Sequence, residues 1–146
     1  LKILQNPKVF NDLILKMSDT EIVRKADAII AIDARGFIFG SAIAAKVFKP
    51  MIVARKEGKL PGDLTSKDYS LEYGNDKLCV QNSAIEPFSS FAIVDDLLAT
   101  GGTVKSVYNI LLSRQKEVTG TAVFIELTET PNKISLEIPV FSVIKF

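Results

Sequence analysis

Two adjacent acids, Asp95 and Asp96, stand shortly before a turn rich in threonine and glycine, Thr100-Gly101-Gly102-Thr103. The apolar run at residues 91–94 is typical of a β-strand, and a helical pattern begins directly after the turn. Paired glycines let successive backbone N–H groups point at one spot, and a helix N-terminus adds its dipole. The segment therefore predicts a phosphate-binding loop with two carboxylates at its edge. It suits a ligand that combines phosphate with hydroxyl or metal groups, such as a sugar phosphate.

Two common phosphate-binding motifs do not describe this segment. Lys105 follows the glycines at the wrong offset for the G-x-x-x-x-G-K-[ST] loop, and no G-x-G-x-x-G dinucleotide fingerprint occurs. The remaining alternative is a strand–turn–helix corner in which the glycines serve only the backbone geometry. The preceding strand, the acid pair and the two threonines together favour the phosphate loop over this alternative.

Composition restricts the class of protein. With 146 residues, 47% of them apolar, and a mean hydropathy of +0.23, the chain fits a single α/β domain with a substantial core. A net charge of +1 argues against nucleic acid as a partner, because nucleic-acid-binding domains usually carry a strong basic excess. The sequence has no histidine, so catalysis would depend on carboxylates, lysine, tyrosine or electrostatic stabilisation.

Cellular location is indicated by two features. Cys79 is the single cysteine, which excludes an intrachain disulfide and fits a reducing compartment. The sequence shows no signal peptide and no apolar run of transmembrane length. We therefore expect a cytoplasmic protein without a membrane partner.

Strand and helix patterns alternate along the chain. Strands are predicted at residues 28–32, 51–54, 91–94, 121–127 and 139–146, and helices within residues 1–26, 40–48 and 104–116. This alternation predicts a mostly parallel central sheet with helices on both faces. Because ligands bind at the carboxyl ends of parallel strands, we expect the polar segments that follow these strands to meet.

Two further polar segments follow predicted strands. After the first strand, Asp33 and Ala34 precede Arg35, whose planar guanidinium could hold an anion. After the second strand, cations occur at three nearby positions, Arg55, Lys56 and Lys59. The alternatives are a turn with an exposed arginine for the first segment and a solvated charge run for the second.

A long polar segment at about residues 56–81 predicts a flexible hairpin flap. Its strands are predicted at residues 69–74 and 77–81, with the turn at Asn75-Asp76. Glu72 stands in this flap between two tyrosines, where it could protonate or position a reacting group when the flap closes. The alternative is an exposed hairpin whose tyrosines pack at its base, and residue spacing alone favours that alternative.

Four ordered motifs together resemble the adenine phosphoribosyltransferases, a type I phosphoribosyltransferase family. The resemblance covers nearly the whole chain. The motif at residues 94–103 marks the superfamily, and the motifs at residues 55–61 and 71–74 point to the adenine branch. The motifs are Ala34-Arg35-Gly36-Phe37, Arg55-Lys56-x-Gly58-Lys59-Leu60-Pro61, Tyr69-x-Leu71-Glu72-Tyr73-Gly74 and Val94-Asp95-Asp96-Leu97-Leu98-Ala99-Thr100-Gly101-Gly102-Thr103.

The resemblance implies the reaction of adenine with 5-phosphoribosyl 1-pyrophosphate (PRPP) to give AMP and pyrophosphate, with Mg²⁺ as cofactor. It implies that Glu72 and Arg35 are catalytic and that the ion contacts no carboxylate directly, or meets Asp95 or Asp96 through water. Ribose and 5′-phosphate binding is implied for Asp95, Asp96, Ala99, Thr100, Gly101, Gly102 and Thr103. Pyrophosphate binding is implied for Asp33, Ala34, Arg35, Arg55, Lys56 and Lys59, and the family tends to keep a cis non-proline bond within residues 33–35.

The resemblance also implies a homodimer, in which the region of residues 55–59 lies near the interface and reaches the partner's site. Members of the family carry a segment upstream of the first helix that helps to form a hood over the purine. This chain begins apparently just after that segment, so we expect the hood segment to be missing from residues 1–146.

Two other functions remain open from the sequence. One is a phosphoribosyltransferase for another base, such as hypoxanthine, xanthine or orotate. The other is a regulatory protein that uses the same fold to sense PRPP. Such a regulator would need a DNA-binding appendage or a basic face, and a net charge of +1 without a helix-turn-helix segment argues against it.

Overall fold

The computed structural model describes the backbone of residues 1–71 and 74–146 and the side chains of residues 1–67 and 77–146. Within these residues a short 3-10 helix, Lys2–Gln5, precedes α1 (Pro7–Ser18) and α2 (Glu21–Lys25). The remaining elements are, in chain order, β1 (Ala28–Ile32), α3 (Gly36–Val47), β2 (Met51–Lys56), β3 (Leu64–Leu71), β4 (Gly74–Gln81), α4 (Asn82–Ile85), β5 (Ser90–Leu98), α5 (Gly102–Ser113), β6 (Glu117–Glu126) and β7 (Val140–Lys145).

The strands form a single sheet in the order β3-β4-β2-β1-β5-β6-β7. The five strands from β2 to β7 in this order are parallel, and the β3–β4 hairpin adds antiparallel strands at one edge. The predicted mostly parallel sheet is therefore confirmed. Its parallel strands place the segments after β1, β2 and β5 at the same edge.

Helices cover both faces of the sheet, as predicted. Alternating side chains of β1 point to opposite faces, so Ile30 packs in a core with α4 and α5, whereas Ile29 packs in a second core with α1, α2 and α3. All five residues of β1 are buried, which explains why this strand reads as an unbroken apolar run. Among the described residues, no helix has both the length and the apolarity needed to cross a membrane.

The first two helices, which lie within the predicted helical region of residues 1–26, begin at side-chain caps. The Asn6 side chain accepts a hydrogen bond from the Val9 N–H at 3.1 Å, and Pro7 occupies the first helical position. The Thr20 hydroxyl accepts from the Val23 N–H at 3.3 Å at the start of α2.

The flap hairpin differs from its prediction in the position of the turn. Asn75 and Asp76 were expected in the turn, but both lie within β4, where Asn75 pairs with Ser70 and Asp76 with Tyr69. The ladder continues to the pair Leu71–Gly74, so its backbone pairing outweighs the local preference of Asn-Asp for a turn. The predicted flexibility of this hairpin stays a prediction.

Several element boundaries also differ from the sequence-based expectations. Helix α3 begins at Gly36 rather than at Gly40, which lies inside the helix facing β1. Helix α5 ends at Ser113, and β6 begins at Glu117, four residues before the predicted strand. Gly120, with a φ of +149°, interrupts the apolar pattern of β6 beside a bulge in the β5–β6 pairing and so masks the strand start. The four-residue helix α4 is too short to produce a helical pattern.

Candidate active site

A cavity of about 420 Å³ opens at the carboxyl edge of the sheet, where β1 and β5 end. It lies at the point where neighbouring parallel strands continue to helices α3 and α5, which is the usual position of ligands in such sheets. Residues from two separate segments line the cavity: Ile32, Asp33, Ala34, Arg35, Asp95, Asp96, Leu97, Ala99, Thr100, Gly101, Gly102 and Thr103.

The threonine–glycine loop forms one wall of this cavity. Gly101 has a φ of +93°, a conformation that glycine adopts at little cost, and it turns the chain into the N-terminus of α5 at Gly102. The Thr100 hydroxyl accepts a hydrogen bond from the Gly102 N–H at 3.3 Å. The first turn of α5 carries no acidic residue. The loop therefore offers an anion the free N–H groups and the dipole of a helix start.

The acid pair lies within β5 rather than after it, because the strand continues to Leu98. Both side chains are buried, yet they have different partners. Asp95 Oδ1 accepts a hydrogen bond from the Asp96 N–H at 2.8 Å, whereas Asp96 Oδ2 lies 2.9 Å from Arg35 Nε. Asp95 thus orients the backbone of its neighbour, and Asp96 joins β5 to the loop that follows β1.

The environment of Asp95 favours its neutral form. Burial, together with the charge of Asp96, raises the pKa of the Asp95 carboxyl to about 8, even though the Asp96 N–H and the Arg35 charge act in the opposite direction. A neutral carboxyl can donate a hydrogen bond as well as accept one. At neutral pH the pair therefore offers a ribose hydroxyl both a donor and a charged acceptor.

The loop after β1 contains a cis peptide bond between Asp33 and Ala34, as the resemblance implied. Asp33 Oδ2 forms an ion pair with Arg55 Nε at 3.0 Å, and the Arg55 guanidinium lies 5.9 Å from the centre of the Phe37 ring. The Arg35 side chain is 62% exposed despite its ion pair with Asp96. Two arginines thus contribute positive charge at this loop, Arg35 within it and Arg55 through its ion pair with Asp33.

The structure brings together most of the predicted site residues. Every residue expected from Asp33 to Arg35, both acids and the residues from Ala99 to Thr103 line the cavity. Arg55 does not line it but reaches its edge through Asp33. Lys56, the last residue of β2, and Lys59, just after this strand, are both exposed and lie outside the cavity lining. Glu72 lies outside the described residues.

Some residues at the site were not predicted. Ile32 and Leu97 line the cavity as the last residues of an apolar pattern, where their sequence signal is that of the core. Residues 128–138 belong to no predicted helix or strand, yet the Ile134 N–H donates to the Thr100 carbonyl at 2.7 Å. No local sequence pattern predicts this contact, because it depends on the path that the chain takes after β6.

Comparison with known proteins agrees with this geometry. A model of the phosphoribosyl transferase domain matches residues 1–144. The chain belongs to the phosphoribosyltransferase family. Within this family it is 57% identical over 146 residues to the adenine phosphoribosyltransferase of Prochlorococcus marinus (strain MIT 9515). The match covers 100% of this chain and 85% of that protein. The predicted family resemblance is confirmed.

Solved structures confirm the type I phosphoribosyltransferase fold. The adenine phosphoribosyltransferase of Thermoanaerobacter pseudethanolicus matches with a TM-score of 0.90 and 37% identity, over 99% of this chain and 84% of that one. The enzyme of Saccharomyces cerevisiae matches with a TM-score of 0.82 and 29% identity, over 97% of this chain and 82% of that one. The yeast structure contains adenine and an imino-altritol bisphosphate.

Proposed function

We propose that this phosphoribosyltransferase is a purine salvage enzyme that transfers the 5-phosphoribosyl group of PRPP to adenine, giving AMP and pyrophosphate. One observation carries the proposal. This chain is closely related to adenine phosphoribosyltransferases, and its phosphate loop, two buried acids and Arg35 line one cavity. A ligand with a phosphate, a diol and a second anionic group matches this set of partners.

The cavity suggests how PRPP would bind. The 5′-phosphate would lie against the N-terminus of α5, held by Ala99, Thr100, Gly101, Gly102 and Thr103. The ribose hydroxyls would face Asp95 and Asp96. The pyrophosphate would lie against Asp33, Ala34 and Arg35, with Arg55, Lys56 and Lys59 supplying further positive charge.

The chemistry follows from the charges that develop. The bond between the ribose carbon and pyrophosphate breaks, its electron pair leaves with pyrophosphate, and a ring nitrogen of adenine forms the new bond to that carbon. Arg35 would stabilise the negative charge on the leaving group. The acid pair would not oppose the positive charge that develops on the ribose. Glu72 would accept or position the proton of the base, and a closed flap would exclude water.

The acid pair fits a hydrated Mg²⁺. Among the described residues there is no group of three or more His, Cys, Asp or Glu side chains that could hold a metal ion. Mg²⁺ usually keeps several waters and binds through one or two carboxylates together with substrate phosphates. Asp95 or Asp96 would hold such an ion through water, and the ion would neutralise phosphate charge.

The proposal extends to a cytoplasmic homodimer built from one such domain per chain, with a flexible flap at about residues 56–81. Lys56 and Lys59 are exposed and lie outside the cavity lining of their own subunit. That position is compatible with a role at a partner's site, as the family resemblance implies. Sedimentation of the purified protein with and without PRPP tests the assembly.

The activity is tested by incubating the protein with PRPP, Mg²⁺ and adenine, with hypoxanthine, guanine, xanthine and orotate in parallel. We expect AMP from adenine and no nucleotide from the other bases. Asp96→Ala serves as the control with weakened PRPP binding, because it removes a buried acid that forms an ion pair with Arg35. Nucleotide formed from another base would show that this base, not adenine, is the substrate. Binding of PRPP without any product would favour a regulatory protein that senses PRPP.

A further inference from the structure

A segment that does not itself line the cavity contacts the phosphate loop. We call residues 127–139, between β6 and β7, the return segment. The Ile134 N–H donates to the Thr100 carbonyl at 2.7 Å. A methyl group placed on Gly101 would lie 3.6 Å from the Ile134 carbonyl oxygen and 3.6 Å from Leu136 Cδ2. The return segment therefore contacts Thr100 and Gly101 of the phosphate loop.

The return segment is itself anchored by a charged pair. Lys133, the residue before Ile134, places its Nζ 3.2 Å from Glu126 Oε1 and donates to the Leu127 carbonyl at 2.6 Å. The Glu126 side chain is 14% exposed and that of Lys133 27% exposed, so both are shielded from solvent more than an ordinary surface pair. Such a pair holds its geometry better than an exposed one.

The carboxylate of Glu126 has further partners on β7. The Ser142 hydroxyl donates to Oε2 at 2.9 Å, and Lys145 Nζ lies 3.9 Å from the same oxygen. Burial alone would raise the pKa of Glu126, but the hydrogen bonds from Ser142 and Lys133 and the charges of Lys133 and Lys145 together lower it. Glu126 is therefore held as a carboxylate, with one oxygen facing the return segment and the other facing β7.

We propose that Glu126 is a positioning residue for phosphate binding, acting through Lys133 and Ile134 to fix Thr100 and Gly101. This inference rests on the proposed function, because it assigns Glu126 to the binding of the 5′-phosphate of PRPP. An anion is bound tightly by backbone N–H groups only when they already point at it, since ordering them on binding costs conformational entropy. The pair Glu126–Lys133 maintains that order before the ligand arrives.

Two substitutions remove the ion pair between Glu126 and Lys133, and two matched controls leave it in place. Glu126→Gln removes the charge, and Lys133→Met removes the cation while keeping an unbranched side chain that is one atom shorter. Ser142→Ala and Lys145→Met remove the other partners of the same carboxylate without touching the return segment. A merely structural role of Glu126 would make all four variants behave alike.

The measurements separate phosphate binding from chemistry. We expect Glu126→Gln and Lys133→Met to raise KM for PRPP and Kd for AMP by about three- to tenfold, with kcat and KM for adenine changed less than about twofold. The amides of residues 100–103 should exchange hydrogen faster in both variants and at the wild-type rate in the two controls. Lys133→Arg, which keeps the cation, should recover part of the affinity.

Failure of this inference is distinguishable from failure of the proposed function. If the wild-type protein makes AMP and the two variants show no larger change than the two controls, Glu126 has no positioning role. If the wild-type protein makes no AMP, the proposed function fails, while exchange at residues 100–103 still decides whether Glu126 positions the loop. Equal acceleration of exchange in all four variants would assign Glu126 to general stability instead.

Discussion

The buried carboxyl of Asp95 should make the protein less stable as pH rises. Its pKa is raised to about 8 from an ordinary value of 3.8, first by burial and then by the charge of Asp96. Between these two values the folded protein therefore binds one proton more than the unfolded chain. A group whose pKa is higher in the folded state stabilises the folded protein. This contribution is fully present below the pKa of the unfolded chain, and it is lost as pH rises through the pKa of the folded protein.

The size of the effect follows from the proton count. When the folded state binds one proton more than the unfolded chain, the free energy of unfolding falls by about 1.4 kcal/mol for each unit by which pH rises. Between pH 5 and pH 7 the loss attributable to Asp95 is therefore about 2–3 kcal/mol. The sequence contains no histidine, so no side chain that ordinarily titrates near pH 6.5 obscures this window.

Asp95→Asn isolates the effect, because the amide keeps the shape of the side chain and cannot ionise. Urea unfolding of both proteins at pH 5, 6 and 7, in buffer without Mg²⁺, gives the free energy of unfolding at each pH. The difference between the two proteins should shift by about 2–3 kcal/mol in favour of the variant as pH rises. Asp12→Asn, on the exposed side of α1, is the matched control. Parallel pH profiles for the wild type and Asp95→Asn would refute the reasoning.

Three further predictions follow from single contacts. Gly40→Ala should lower the free energy of unfolding by about 1–3 kcal/mol in urea titrations, because the new methyl would lie 2.5 Å from Ala31 Cβ; a neutral result would mean that α3 can shift away from β1. Ser106→Ala removes the hydroxyl that donates to the Lys67 carbonyl at 2.9 Å, so hydrogen exchange in residues 64–67 should accelerate while AMP affinity is kept. Asp96→Ala should raise KM for PRPP at least about tenfold with an unchanged circular dichroism spectrum, and an unchanged KM would remove Asp96 from the ribose site.

Much of the site could be predicted because its segments are local. The acid pair, the glycine turn and the loop after β1 each directly follow or end an apolar strand, so the parallel sheet alone brings them to one edge. The helix caps at Asn6 and Thr20 are equally local, since each side chain accepts a hydrogen bond from a residue only three positions away. Such contacts are encoded in short stretches of sequence.

What escaped prediction depends on distant partners. Asn75 and Asp76 favour a turn locally, but pairing with the opposite strand places both within β4. The support that Ile134 gives to Thr100 joins segments separated by a complete strand and helix, and Glu126 acquires its role only through β7 and the return segment. Neither contact has a periodic signal, because each arises from tertiary packing.

The most direct test of the central claim follows AMP and pyrophosphate together in one reaction by phosphorus NMR, with PRPP, Mg²⁺ and the wild-type protein. Transfer to adenine predicts that both products appear in equal amounts and only when adenine is present. Pyrophosphate released at the same rate without adenine would show hydrolysis of PRPP rather than transfer. Unchanged PRPP in the presence of adenine would contradict the proposed function altogether.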